Sequence, residues 1–225
     1  MTGRVTVFGG TGFIGRNLVA LLLRSGASVR MAVRHPGLTK VAAETTEAPE
    51  VVQADILDDA SVGRAVVAAD AVFNLVGILT ETAAQTYRAI HVEGARRVAL
   101  AAQRRGVMRL IHISALGASP TSPAISDQTK LRENRRFGRY SRGQIVRPSL
   151  TYGEDDHFFS RFAGMIRSSP VLPLIGGGST RFQPVFVGDM TAGLVELLKR
   201  SDTAGKTYEF GDLRFTASRC SWNSC

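Results

Sequence analysis

Cysteine is nearly absent from this sequence: Cys220 and Cys225 are the only two, and both fall within its last six residues. That leaves no disulfide framework to support a fold and no partners for a metal site at cysteine spacing, and it fits a reducing compartment. Long apolar runs are missing as well. No stretch reaches the roughly 18 residues of a membrane span. A basic, apolar, small-residue leader is not seen either, because strand-like sequence begins at Val5. The expected location is therefore cytoplasmic. Lysine is scarce, with Lys40, Lys130, Lys199 and Lys206 only, so the net charge of +9 comes almost entirely from arginine. Residues 1–43 contain no Asp or Glu at all.

What is present suffices for one full hydrophobic core. The chain has 225 residues, 44% of them hydrophobic, which suits one domain with a small appendage better than two equal domains. The arginines gather at Arg96, Arg97, Arg104, Arg105 and Arg109, then at Arg132, Arg135, Arg136, Arg139 and Arg142, on two expected helices. These faces either are solvated surface or dock anionic lipid or an acidic protein. Nucleic acid is not indicated, since the basic stretches lack interleaved aromatics.

The strongest local signal is Val5-Thr6-Val7-Phe8-Gly9-Gly10-Thr11-Gly12-Phe13-Ile14-Gly15, a hydrophobic strand ending in a glycine-rich turn that opens a helix. It satisfies both Gly10-x-Gly12-x-x-Gly15 and Gly9-x-x-Gly12-x-x-Gly15. In strand-turn-helix context, such glycines make a tight turn, let backbone N–H groups approach a pyrophosphate and allow a helix to pack closely on a sheet. The helix carrying Leu18 to Leu23, expected over Asn17–Arg24, aims the positive end of its dipole at the phosphates. Gly9, Thr11, Gly12, Phe13, Ile14 and Gly15 are therefore assigned to a dinucleotide.

Downstream, the pattern alternates. Strands are expected at Ser28–Val33, Val51–Gln53, Ala71–Gly77, Met108–Ser114 and Gln144–Pro148, with helices from Asp59 to about Ala69, Ala83 to Arg105 and Gln128 to Tyr140. Apolar strands alternating with helices give an α/β fold, a Rossmann-type doubly wound parallel sheet, over residues 1–150. Residues 151–212 change to loops rich in glycine, proline and aromatics, with a helix at Asp189–Arg200 and a strand at Thr207–Phe210. They read as a small substrate or lid region. Residues 213–225 show no periodicity and are expected to be a disordered tail, from a truncated or frame-shifted terminus.

Three further segments bear on the cofactor. An acidic residue near the end of strand two usually binds the free ribose hydroxyls of NAD. Arg34 stands there instead. Its guanidinium either pairs with a 2′-phosphate, giving NADP(H) preferred with NAD(H) also bound, or simply snorkels at the sheet edge. Asp55-Ile56, after strand three, suits the adenine, with the carboxylate accepting from the exocyclic amine and Ile56 packing on the ring. Asp55 equally well begins a turn. Val76-Gly77 would lie beside a ribose, where small bulk permits close approach.

With these residues assembled, the chain resembles the short-chain dehydrogenase/reductase superfamily, in its atypical or extended members of the NAD-dependent epimerase/dehydratase type, over residues 4–212. It looks most like the branch containing the accessory subunit of respiratory complex I. The likeness rests on Phe73-Asn74-Leu75-Val76-Gly77-Ile78, His91-Val92-Glu93-Gly94-Ala95, His112-Ile113-Ser114-Ala115-Leu116-Gly117-Ala118, Arg147-Pro148-Ser149 and Arg181-Phe182-Gln183-Pro184-Val185-Phe186-Val187-Gly188-Asp189. It implies Ser114 and Lys130 as catalytic residues, with Lys130 and Pro148 also at the cofactor.

The superfamily's acid/base tyrosine, four residues before the lysine, is Ser126 here. A serine hydroxyl does not titrate near neutrality and cannot exchange the proton that accompanies hydride transfer. Tyr140 and Tyr152 lack the spacing to Lys130 that would let them replace it, and His157 is either an acid/base on a loop or, as lone loop histidines usually are, surface. The resemblance therefore implies a structural or redox-sensing NAD(P)(H)-binding protein of the complex I type, with a respiratory-complex or membrane-surface partner and a location peripheral to the inner membrane. The alternative is an active oxidoreductase or sugar-nucleotide-type epimerase/dehydratase acting on a small carbonyl or hydroxyl substrate.

Overall fold

Alternation within the strands divides the apolar residues between two faces of one sheet. The computed structural model describes residues 3–39, 48–83, 85–116, 143–156, 181–212 and 216–217. In β1 (Arg4–Phe8), Val5 and Val7 face one way and Phe8 the other. The same split recurs for Phe73 against Val72 in β4 (Ala71–Asn74), Ile111 against Leu110 in β5 (Arg109–Ile113), and Val146 against Ile145 in β6 (Gly143–Pro148). Period-2 side-chain direction makes both faces apolar, so both must be covered by helices.

The first face is covered by α1 (Phe13–Arg24), through Leu18, Val19 and Leu22, and by α4 (Val187–Lys199), through Met190, Leu194 and Val195. The second is covered by α2 (Asp59–Ala65), through Val62 and Ala65, and by α3 (Ala95–Arg104), through Val98, Ala99 and Ala102. Each fully buried leucine, Leu18 and Leu22 among them, contributes roughly 1.5–3 kcal/mol of apolar transfer.

The sheet has seven parallel strands in the order β10-β6-β5-β4-β1-β2-β3, where β2 is Ser28–Val33, β3 Glu50–Gln53 and β10 Thr207–Phe210. The chain moves outward from β1 to β3, then returns to place β4 on the other flank of β1, with Val5 opposite both Val29 and Ala71. That reversal makes β1 and β4 the topological switch point, the place where doubly wound sheets take ligands at the carboxyl ends of their strands.

Several boundaries differ from the sequence reading. α1 begins at Phe13 rather than Asn17, directly on the glycine turn. β4 stops at Asn74 instead of reaching Gly77, because the Asn74 side-chain oxygen accepts from the Val76 N–H at 3.3 Å and turns the chain. α2 stops at Ala65 rather than Ala69, and Ala68 lies at φ +54°. The helix expected from Ala83 opens at Arg88 with a π-helical turn, Arg88–Gly94, before α3; ahead of it Thr82 and Gln85 exchange backbone hydrogen bonds. The helix expected over Gln128–Tyr140, and with it Ser126, Lys130 and Tyr140, lies outside the described residues, as does His157.

Short strands escaped periodicity altogether. β7 (Thr151–Tyr152) pairs with β9 (Val185–Phe186), and β8 (Arg181–Phe182) pairs with β11 (Thr216–Ala217), which falls in the tail expected to be irregular. Two-residue strands carry no readable alternation.

Candidate dinucleotide site

The turn after β1 is built so that only glycine fits. Gly9 sits at φ +79°, and a Cβ there would lie 3.0 Å from the Leu75 carbonyl carbon. A Cβ on Gly15 would run into the Gly9 carbonyl oxygen and stand 2.8 Å from Gly10 Cα. The Gly12 N–H donates to the Gly9 carbonyl at 3.1 Å, closing the loop. Thr11 and Gly12 are exposed at its tip, while Gly15 is buried beneath it.

α1 starts at this turn with Gly12 as N-cap, no side-chain cap and no acidic residue in its first turn. Its first N–H groups, those of Phe13 and Ile14 among them, thus have no side-chain acceptor, and together with the positive end of the helix dipole they form a ready anion site. These features fit a pyrophosphate.

Because all seven strands are parallel, the other sequence-assigned residues collect along the same edge. Arg34 follows β2, Asp55 and Ile56 follow β3, Val76 and Gly77 follow β4, Ser114 follows β5, and Pro148 ends β6. Arg34 is exposed, with no hydrogen bond or ion pair among the described residues, and lines a cavity of about 440 Å3 together with Gln53, Asp55, Ser61 and Arg64.

Asp55 does begin a turn: its Oδ1 accepts from the Leu57 N–H at 2.9 Å. Ile56 is packed into the core, and its Cδ1 lies where a Cβ on Gly94 would fall, only 2.6 Å away. Gly77 is exposed, and a Cβ there would meet only His91 Nε2, at 3.7 Å. Ser114 is buried, its backbone N–H donating to the Val146 carbonyl at 2.8 Å, while its hydroxyl has no hydrogen-bond partner among the described residues. The Pro148 carbonyl accepts from the Leu116 N–H at 2.9 Å.

Some supporting residues were not legible beforehand. His91, buried in the π-helical turn, accepts from the Ile78 N–H at its Nε2 (3.1 Å) and so fixes the chain just past Gly77. Arg16 stacks over Phe13 at 5.5 Å and reaches across to Asp155, donating to its carbonyl at 3.2 Å with the carboxylate 3.5 Å away. The glycine helix is thereby tied to the loop after β7. α2 opens on Asp58, whose carboxylate accepts from the N–H groups of Ala60 and Ser61, both at 3.1 Å. Those bonds, first that from Ala60, hold the Asp58 carboxyl below the usual carboxylate value.

The arginine faces are only partly unengaged. Arg96 pairs with Glu93 at 3.0 Å and Arg97 with Asp59 at 3.1 Å, whereas Arg104 and Arg105 are exposed. The second cluster, Arg132–Arg142, lies outside the described residues. Among the described residues no helix is long and apolar enough to cross a membrane, and no group of His, Cys, Asp and Glu could hold a metal ion.

Comparison with known proteins agrees with this geometry. The chain is 34% identical over 213 residues to NADH dehydrogenase (ubiquinone) 1 alpha subcomplex subunit 9, mitochondrial, of Arabidopsis thaliana, covering 92% of this chain and 53% of that protein. The Mus musculus protein of the same name is also 34% identical, over 214 residues, covering 91% of this chain and 55% of the relative. The chain thus spans about half the length of these curated relatives. Among solved structures, MoeE5 in complex with UDP-glucuronic acid and NAD superposes with a TM-score of 0.80 at 22% identity, covering 96% of this chain and 79% of that one. The same fold is shared with a UDP-glucose 4-epimerase and a short-chain dehydrogenase/reductase superfamily protein, at TM-scores of 0.79 and 0.75. The NAD(P)H-binding family profile matches residues 9–144, from the glycine turn into β6, and the chain belongs to that NAD(P)H-binding family.

Proposed function

We propose that this chain is an NADP(H)-binding component of a complex I-type assembly, holding its nucleotide for structural stability or redox sensing rather than for turnover. The observation that carries the cofactor choice is Arg34: an exposed guanidinium with no partner among the described residues stands at the end of β2, on a cavity, where an NAD site would place a carboxylate. When bound, the nucleotide would supply hydride chemistry at its nicotinamide ring. The α1 N–H groups would hold the pyrophosphate, Arg34 the 2′-phosphate, Asp55 the adenine amine, Gly77 and Lys130 the riboses, and Pro148 the nicotinamide end. Ser126 in place of tyrosine supports absence of turnover, since no group at that position exchanges a proton near neutrality.

The partner reading rests on the mitochondrial relatives and on the unengaged end of the α3 face at Arg104 and Arg105. A place peripheral to the inner membrane follows from it. The face should bind anionic liposomes with an affinity that falls as salt is raised, and binding indifferent to salt would count against it.

The second reading, an active NADP(H)-dependent oxidoreductase or epimerase, draws on Ser114, whose buried hydroxyl at the end of β5 has no partner among the described residues. Fluorescence titration with NADPH and NADH, repeated on Arg34→Asp and Lys130→Ala, tests the cofactor assignment. NADPH should bind more tightly than NADH, Arg34→Asp should erase the difference, and Lys130→Ala should weaken both alike. Equal affinities in the parent protein would overturn the NADP(H) preference.

A further inference from the structure

The cavity at the end of β2 holds a second arginine, Arg64, on α2. Arg34 and Arg64 come from different elements, both are exposed, and neither makes a hydrogen bond or ion pair with another described residue. That sets them apart from Arg16, Arg30, Arg96, Arg97, Arg147 and Arg200, each of which contacts a carboxylate.

The acidic groups of the same cavity do not use up these donors. Asp58 directs both carboxylate oxygens to the N–H groups at the start of α2, and Asp55 directs one of its own to Leu57. Asp58 exerts only a through-space attraction on Arg64. Two guanidiniums, with five N–H donors each, are thus left facing one space.

A single exposed ion pair changes affinity by only a few-fold, because water and salt screen it. Two planar forks on one cavity suit a dianion with three terminal oxygens better, since each can engage two oxygens and their charges add. A carboxylate carries a single charge and would leave the second guanidinium's charge uncompensated. A phosphate monoester matches both.

We infer that Arg64 is a specificity-determining residue of the nucleotide site, binding the adenosine 2′-phosphate from α2 while Arg34 binds it from the end of β2. This rests on the NADP(H) reading above. α2 then does more than cover the sheet: its N-cap Asp58 and the Ser61 hydroxyl, which donates to the Asp55 and Asp58 carbonyls at 3.1 Å each, fix the segment from which Arg64 projects.

The test is titration of the full chain and its Arg34→Gln, Arg64→Gln and double variants with NADPH and NADH, followed by competition with 2′,5′-ADP and 3′,5′-ADP. Arg64→Gln should weaken NADPH on the order of tenfold or more and leave NADH unchanged, and 2′,5′-ADP should lose its advantage over 3′,5′-ADP. Unchanged NADH affinity doubles as the control that the variant is folded. If Arg64→Gln binds NADPH like the parent while Arg34→Gln does not, the role of Arg64 is overturned and that of Arg34 stands. If Arg64→Gln weakens both nucleotides equally, or 3′,5′-ADP competes as well as 2′,5′-ADP, the 2′-phosphate assignment of Arg64 is overturned. If the parent protein itself does not prefer NADPH, the NADP(H) reading falls and the inference with it.

Discussion

Arg30 and Glu50 face each other in the register between β2 and β3, and the Arg30 Nε meets Glu50 Oε2 at 3.0 Å. The same guanidinium donates from Nη1 to the carbonyls of Ala65, at 2.9 Å, and Val67, at 2.7 Å, so it also closes the C-terminal end of α2. Thr6 adds a hydroxyl donor to the Ala65 carbonyl at 3.1 Å. The end of the helix that carries Arg64 is thereby bonded to the central strands rather than to water.

Two substitutions separate these contributions. The Arg30 side chain is 8% exposed and that of Glu50 48%. Arg30→Met takes the donor from the Val67 carbonyl and leaves Thr6 alone on that of Ala65, and should cost about 2–3 kcal/mol, whereas Glu50→Gln, on the wet side of the pair, should cost about 1 kcal/mol or less. Urea denaturation of both variants checks the order. Equal losses would show that the ion pair, not the helix end, is what Arg30 stabilises.

The glycine turn gives a second comparison. Gly15→Ala places a methyl on the Gly9 carbonyl oxygen, which only a shift of the turn can relieve, and should cost about 3 kcal/mol and abolish nucleotide binding. Gly77→Ala meets only an ordinary contact at His91 Nε2, 3.7 Å away, and should change stability by no more than about 0.5 kcal/mol. If a ribose approaches Gly77 closely, that variant nonetheless loses NADPH affinity. A Gly77→Ala protein that binds NADPH like the parent would move the ribose away from this residue.

Much of this was readable before the structure because of parallel-sheet physics. Strands buried on both faces read as continuous apolar runs such as Val5-Thr6-Val7-Phe8 and Ala71-Val72-Phe73, and a parallel sheet sends every strand's C-terminal residue to one edge. Placing Arg34, Asp55, Gly77 and Ser114 near one another therefore needed only the strand ends. Arg64 and Arg30 were not readable this way. Arg64 reaches the cavity from a helix that shares no local motif with Arg34, and Arg30, mid-strand, reads like any inward polar residue until the end of α2 is seen against it. The π-helical turn at Arg88–Gly94 was likewise hidden, since its apolar spacing differs little from an α-helix over seven residues.

Acid weakens the fold through carboxylates whose ionised form is hydrogen-bonded, although these are the last to protonate as pH falls. Asp202 is pulled down from 3.8 to about 2, mainly by the hydrogen bond from Arg200, whose Nη2 lies 2.9 Å from Asp202 Oδ2. Asp58 is lowered by the backbone N–H of Ala60 and then of Ser61. A folded-state value below the unfolded one means that this stabilisation is complete above the unfolded value and is lost as pH falls through the folded one. Asp202→Asn and Asp58→Ala should therefore lower the thermal midpoint at pH 7. For Asp202→Asn the difference from the parent should shrink between about pH 4 and pH 2. A gap that persists at pH 2 would assign the effect to packing rather than charge.

Ser114 offers the test closest to the chemistry. Its backbone N–H is engaged by Val146, but its hydroxyl is buried without a partner among the described residues. Burying an unsatisfied hydroxyl costs about 1–3 kcal/mol, so Ser114→Ala should stabilise the nucleotide-free protein, by about 1 kcal/mol once the lost packing is counted. Such a residue is kept against stability when its partner is a ligand. In a protein that only holds its cofactor, Ser114→Ala should leave NADPH affinity unchanged. In one that turns over a carbonyl or hydroxyl substrate, it should cut turnover while still raising the denaturation midpoint, because the hydroxyl would meet the substrate oxygen and not the nucleotide. Denaturation and NADPH titration of the same variant thus place Ser114: a destabilised variant would show that the hydroxyl is bonded within the fold, and a stabilised one would leave it as a group awaiting a ligand at the end of β5.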